Sequence, residues 1–367
     1  MSNKTFVFES DSPNDKIDIY GDIDTVLKKL QVKNNKHFRM QIEGKNIDVS
    51  VVNAIRRSIL MYIPIYGFHR SNIRIDVERS RHMYNNDLIY NLIETLPIFD
   101  IPNYFDLENP ETYLPTEVMR NLFGTFIQER FGDDMVDDAS TASEDANKKL
   151  FRIDLSINVK NNTGIDKFVT THDAVLKVEG KISNSYMSRK PISILVLKPN
   201  EEIYLSAEAN LGISKMHAIY EATTNAIHKE ITPMKFELEY ETLEQLDKNV
   251  IFTKACIILM KKMESLKDFI QKKYSEERDP SEIIEIQLFG EEHTLGNLLA
   301  TILQKCEHVA KAGYDKPHPF IDQIIIAYKL SSKSKVGPIK VFVDVIDYLV
   351  RLFQQIAHVA FKKDNNK

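Results

Sequence analysis

Tryptophan is absent from this chain of 367 residues, and cysteine occurs only at Cys256 and Cys306. Without tryptophan the broadest base-stacking ring is missing. With 48 Lys plus Arg against 53 Asp plus Glu, the net charge is −5 and nothing draws the whole chain to a phosphate backbone. Nucleic acid is therefore expected only as an indirect contact. The cysteines lie far apart, each inside an apolar helical pattern, which makes them small core residues of a chain suited to a reducing compartment. Long hydrophobic runs are lacking too. The longest, Ala255–Met260, falls far short of the roughly 20 residues a membrane helix needs, and the polar, acidic stretch Met1–Gly21 has no apolar signal core. An intracellular protein without membrane contact is expected.

Catalytic motifs are equally scarce. The chain has no Gly-rich phosphate loop, no Gly-x-Ser-x-Gly turn and no pair of histidines at helical spacing. The best cluster for a metal or a general base is Glu291-Glu292-His293 with His318, so the alternative reading is a stand-alone metal-dependent enzyme using Glu292, His293 and His318. The main reading expects no catalytic residue, cofactor or metal. With 43% hydrophobic residues, the length supports two or three domains with real cores.

Residues 1–36 mix charge and turn formers, and Val26, Leu27 and Leu30 predict one short helix in an N-terminal arm. From His37, Phe38, Met40 and Ile42 alternate with polar residues as in a half-buried strand, and Gly44-Lys45-Asn46 reads as a turn. A helix over Asp48–Ile63 then carries Val52, Ile55, Ile59, Tyr62 and Ile63 on one stripe until Pro64 ends it. Arg56 falls about 40° from Val52 on the helical wheel and needs a carboxylate or carbonyl partner, whereas Arg57 points away, free to meet another chain. The plainer alternative is a solvated pair on the helix flank.

Between about 80 and 220 the pattern is β-rich. Phe151, Ile153, Leu155, Ile157 and Val159 alternate, Ile192–Leu197 is a continuous apolar run, and short strands are expected at Val175–Val178 and Ile203–Ala207. Asp133–Lys149 is acidic and of low complexity, which predicts a mobile loop. Met234, Phe236, Leu238 and Tyr240 alternate as a strand, and a helix of about 35 Å follows over Asn249–Lys272. Its sustained stripe needs a partner along its length. Lys261-Lys262 and Lys272-Lys273 read as its solvated face.

After a charged stretch containing Pro280, a similar order returns: a strand at Ile284–Leu288, an amphipathic helix, a loop at Gly313–Pro319, a strand at Ile324–Ala327, and a helix over Pro338–Phe361. The shorter helix buries Leu295, Leu298, Leu299, Ile302, Leu303 and Cys306 on one stripe, and Thr294 or His293 is expected to cap it. Gly296-Asn297 in its first turn is unfavourable by propensity; a close backbone approach, a polar contact or a tight helix crossing would explain it. Gly313 and the prolines flanking His318 serve either to set a turn or to form an interface.

Two motif sets carry a resemblance. His293-Thr294-Leu295-Gly296-Asn297-Leu298, Ala312-Gly313-Tyr314 and Lys316-Pro317-His318-Pro319 resemble the eleventh subunit of eukaryotic RNA polymerase II and its archaeal counterpart, over residues 281–362. Asn53-Ala54-Ile55-Arg56-Arg57, Ile63-Pro64, Leu92–Ile98, Leu197–Glu202 and Ala209–Ala218 resemble, in the same order, the third-largest subunit, its archaeal equivalent and the N-terminal domain of the bacterial alpha subunit, over residues 37–272. The fused arrangement is similar to polymerases of large DNA viruses.

The resemblance implies an α+β chain with two alpha-N-terminal-domain-like dimerisation modules closing as an intrachain pseudo-dimer. The implied organisation is an arm at 1–36, a first module at 37–80 and 220–272, a β-rich insert at 81–219, a linker at 273–281 and a second module at 282–367. Some relatives hold zinc in the insert through cysteines; none occurs before Cys256 here, so a cysteine-held zinc is excluded there. The implied function is a non-catalytic platform for the two largest polymerase subunits and small subunits, working in the virion and host cytoplasm of a virus or in a cell nucleus. Asn53, Arg56 and Arg57 would meet a large subunit, and His293, Thr294, Gly296, Asn297, Gly313, Tyr314, Pro317, His318 and Pro319 would shape the matching face of the second module.

Overall fold

Alternation of Phe38, Met40 and Ile42 with polar residues puts one face of a strand in water and the other against a helix, and the first sheet is built on that pattern. The computed structural model describes residues 16–30, 36–101, 110–131, 148, 150–274, 282–321, 323–332 and 334–362. The acidic stretch expected to be a loop at 133–149 lies outside the described residues apart from Lys148, as do most of the arm and the connection at 275–281.

In chain order the strands are β1 (Val26–Lys29), β2 (His37–Glu43), β3 (Ile65–Gly67), β4 (Ile73–Ile75), β5 (Ile153–Lys160), β6 (Lys167–Thr170), β7 (Ala174–Val178) and β8 (Lys181–Ser183). They continue with β9 (Ser193–Leu197), β10 (Glu202–Glu208), β11 (Asn210–Gly212), β12 (Thr223–Thr232), β13 (Lys235–Thr242), β14 (Ile283–Phe289), β15 (Val309–Asp315) and β16 (Gln323–Leu330). The α-helices are α1 (Val49–Met61), α2 (Asn86–Glu94), α3 (Pro110–Tyr113), α4 (Thr116–Phe131), α5 (Lys248–Lys273), α6 (His293–Lys305) and α7 (Pro338–Lys362).

The same connectivity occurs twice. One antiparallel sheet has the order β1-β2-β13-β12 and the other β14-β16-β15, so in each a first strand pairs with the last strand of a hairpin. In each, a helix of 13 residues follows the first strand and a long helix follows the hairpin. Even an anchoring bond is repeated: the Tyr240 hydroxyl donates to the Lys248 carbonyl at the start of α5, and the Tyr328 hydroxyl donates to the Pro338 carbonyl at the start of α7, 2.8 Å away.

The long helices pack against each other, and Lys267 of α5 meets Asp347 of α7 at 2.7 Å. Phe252, Leu259 and Met263 of α5 and Phe342, Leu349 and Phe353 of α7 are buried in one continuous core.

Between β3 and β11 the chain builds a five-stranded sheet of order β4-β10-β5-β7-β8, together with the pair β6-β9 and helices α2 to α4. The alternation at 151–159 and the apolar run at 192–197 become β5 and β9. The helices were not legible as such, and β4 belongs to this sheet rather than to the first one.

Three local expectations are corrected. Val26 and Leu27 form a strand, not a helix, because β1 pairs in register with β2 and Leu27 is buried there. Gly313 and Tyr314 lie in β15 rather than in a loop, because they pair with Ala327 and Ile326 of β16. Neither Thr294 nor His293 caps α6: Glu292 occupies the N-cap without a side-chain bond.

Ahead of β1, residues 16–25 cross the second sheet's helices as a strap. The Ile17 amide donates to the Lys305 carbonyl at 2.9 Å, and the Tyr20 hydroxyl donates to Asp344 at 2.7 Å. Gln355 donates to the Ile23 carbonyl at 2.8 Å, and Arg351 to that of Ile19.

Candidate functional site

The most concentrated chemistry lies where α1 and α6 meet in antiparallel fashion. Asp48 caps α1, its carboxylate accepting from the amides of Ser50 and Val51. Its other oxygen lies 3.0 Å from the Lys305 ammonium in the last turn of α6. At the opposite end Arg57 of α1 reaches Glu292, the N-cap residue of α6, at 3.7 Å. Each helix thus sets an acid at its amino end against a base near the other's carboxyl end, the arrangement both helix dipoles favour.

Behind this ladder is a buried pair. Lys262 of α5 and Glu291 lie 2.9 Å apart with side-chain exposures of 4% and 3%, and the ammonium also sits 4.8 Å from the centre of the Tyr62 ring. Burial works against the charge on Lys262, but the Glu291 carboxylate outweighs it and holds the ammonium above the ordinary lysine value. The expectation that Lys262 lies on a solvated face is therefore wrong: its position three residues after Leu259 and four before Leu266 turns it into the core.

The two arginines of α1 do have different surroundings. Arg56 is held by Asn53, whose side-chain oxygen accepts from Nε at 3.0 Å and from a terminal nitrogen at 2.8 Å, and it donates to the Ala226 carbonyl of β12 at 3.3 Å. That meets the expected need for a carbonyl partner. Arg57 does not point free of the chain as expected; it is half-buried, beside Glu292 and the Met61 sulfur.

A second cluster joins His293, Gly296 and Tyr314. The Tyr314 ring lies over the first turn of α6, so a Cβ at position 296 would stand 2.5 Å from it. His293 Nδ1 is 3.3 Å from the Tyr314 hydroxyl, and the two rings meet edge to face. The close approach that Gly296 called for is thus an aromatic ring of its own sheet. Gly313 and Thr294 are buried, Asn297 is half-buried, and the Thr294 hydroxyl has no partner among the described residues.

Pro317, His318 and Pro319 are exposed on the turn after β15, apart from this cluster. There the Ile321 amide bonds to the His318 carbonyl at 3.3 Å, and the Phe320 amide donates to His318 Nδ1 at 3.2 Å. The turn presents Phe320 with 92% of its surface exposed. Among the described residues no group of three His, Cys, Asp or Glu side chains could hold a metal. The donors proposed for an enzyme are otherwise engaged, Glu291 by Lys262 and Glu292 by Arg57.

Comparison with known proteins places this geometry. Residues 283–358 match the RNA polymerase Rpb3/Rpb11 dimerisation domain. A protein of Acanthamoeba polyphaga mimivirus named as DNA directed RNA polymerase subunit R470 is 52% identical over 355 residues, 97% of this chain and 99% of that one. The chain belongs to the DNA-directed RNA polymerase subunit family.

Two shorter relatives align only in part with this polymerase subunit. The subunit Rpo11 of Sulfurisphaera tokodaii is 41% identical over 70 residues, 19% of this chain and 73% of Rpo11. A Caenorhabditis briggsae protein named as RNA polymerases I and III subunit RPAC2 is 33% identical over 80 residues, 22% of this chain and 53% of its own length. Within this polymerase subunit, sequence reasoning passed over the roles of Asp48, Lys305 and Phe320 and misplaced Lys262. Lys262 had a signal, since it falls inside an apolar stripe; Phe320 had none, because exposure of a turn leaves no periodicity.

Proposed function

We propose that this chain is a non-catalytic assembly platform of a multisubunit DNA-directed RNA polymerase, in which two alpha-N-terminal-domain-like modules close on each other within one polypeptide. The observation that carries this reading is the repeated connectivity, strand, short helix, hairpin and long helix, with α5 and α7 packed face to face. Residues 37–80 and 220–272 form the first module, except that β4 joins the sheet of the β-rich insert at 81–219; 273–281 is the linker and 282–367 the second module, behind the arm at 1–36. A short linker keeps each module at an effective concentration on the order of millimolar for the other, so closure does not depend on the supply of a second chain.

The partners are the two largest polymerase subunits and small subunits, and nucleic acid is reached only through the complex. Asn53 and Arg56 on α1, and His293, Asn297, Tyr314, Pro317, His318 and Pro319 on the second module, supply the contacts, while buried Thr294, Gly296 and Gly313 shape that face from beneath. The turn at 317–321 supports this role, because an aromatic side chain held in an ordered turn with nearly its whole surface in water suits an interface anchor. The engagement of Glu292 by Arg57 speaks against a metal-dependent hydrolase on Glu292, His293 and His318. An intracellular site of action follows, in virion and host cytoplasm for a viral polymerase.

The test is co-expression of the tagged full chain with the two largest polymerase subunits of the same source. A stable complex is expected, and Phe320→Asp is expected to weaken it at least about tenfold without changing the melting temperature of the free chain. Absence of any complex, or metal-dependent hydrolysis by the purified chain, would overturn the reading.

A further inference from the structure

Given that modules of like connectivity pair within the chain, pairing of each with its own kind on a second copy is the competing arrangement. Two residue correspondences bear on what disfavours it. Asp48 and Glu292 are the N-cap residues of helices of equal length, so Glu291 occupies the place of Ile47, and both are buried. The repeated tyrosine bonds align Lys248 with Pro338, and on that alignment the buried residues Phe252, Ala255, Leu259 and Met263 fall on Phe342, Val345, Leu349 and Phe353, also buried. Lys262 then falls on Leu352. Each charged member of the buried pair has an aliphatic counterpart in the other module.

We infer that the Lys262–Glu291 pair determines pairing specificity, permitting a first module to close only on a second. In the observed arrangement one ammonium meets one carboxylate, and by the same correspondence the equivalent positions are the buried aliphatic residues Leu352 and Ile47. Two first modules would instead bury two lysines against isoleucines, and two second modules would bury two glutamates against leucines. A buried charge without its partner is strongly unfavourable, so both like pairings are rejected.

The outer ladder cannot discriminate in this way. In a pair of first modules Arg57 would face Asp48, and in a pair of second modules Lys305 would face Glu292, so opposite charges would still meet. At the crossing of the short helices with the long ones, selectivity rests on the buried pair; the more exposed Lys267–Asp347 contact and the strap at 16–25 add to the preference for unlike modules. The buried pair's imperfection fits that role: one Glu291 oxygen has no hydrogen-bond partner among the described residues, so the pair is poorly optimised for stability.

The inference depends on the module-pairing reading, and one experiment separates the two. A protease site is placed within residues 275–281 of the full chain, the folded protein is cut, and the pieces are dissociated in urea, returned to buffer and examined by native mass spectrometry. Unlike pairs are expected to exceed like pairs at least about tenfold, and Lys262→Leu with Glu291→Leu is expected to reduce that excess at least about threefold, the strap and Lys267–Asp347 holding the remainder. The exchanged variant Lys262→Glu with Glu291→Lys, which keeps one charge of each sign, should restore the preference for unlike pairs. Pieces that pair without preference, or an unchanged preference in the leucine variant, would overturn the inference alone. Pieces that remain monomeric would overturn the module-pairing reading and the inference with it.

Discussion

At position 296 a methyl group would collide with the Tyr314 ring, whose nearest atom would be 2.5 Å away. Gly296→Ala gains about 1 kcal/mol of helix propensity but overpacks the site, and a net loss of about 1–2 kcal/mol is expected in urea unfolding. The same substitution in a Tyr314→Leu background should be neutral or stabilising. Lys262→Met leaves Glu291 buried without its cation and should cost about 3–5 kcal/mol by the same measurement. His228 offers a test by pH. Burial first, and then the Arg56 cation, hold its imidazole below the ordinary histidine value. As pH falls through about 6.5 the unfolded chain therefore takes up a proton that the folded chain resists, so stability is lost on acidification. His228→Gln should flatten the stability curve between about pH 7 and 5, measured by urea midpoints across that range.

Among the elements, those with strong periodicity were legible from spacing alone. The long helix read at 249–272 is α5, ending one residue beyond at each side, because its stripe and the Asp247 cap both come from neighbours in sequence. Leu299 sits at the centre of such a stripe and is fully buried, so Leu299→Asp should lower the unfolding midpoint by well over about 4 °C in differential scanning calorimetry. What spacing could not convey was pairing. The segment at 26–30 has apolar residues that suit a helix turn, yet β2 offers it an open edge, and tertiary pairing overrides the local pattern. β12 escaped notice because register shifts between Thr224 and Ile227 and between Glu230 and Thr232 break its alternation. Arg56 was legible as a side chain needing a partner, and Arg57 was misread, because the wheel of α1 cannot show that α6 lies beside it.

Over the whole molecule, the packing of α5 on α7 joins the two sheets' long helices, and the strap at 16–25 ties residues as far as 332 positions apart. Removing residues 1–25 should lower the unfolding midpoint by at least about 4 °C and raise amide exchange in α7, measured by scanning calorimetry and by hydrogen exchange. The strap also bears on the order in which the protein can be completed. Its anchors, Lys305, Asp344, Arg351 and Gln355, all belong to the last quarter of the polypeptide. During synthesis the amino-terminal stretch therefore emerges from the ribosome long before its seat exists, and must wait while every intervening strand is placed. A nascent chain halted before α7 would leave that stretch accessible to a protease, and only release of the finished polypeptide would let it lock.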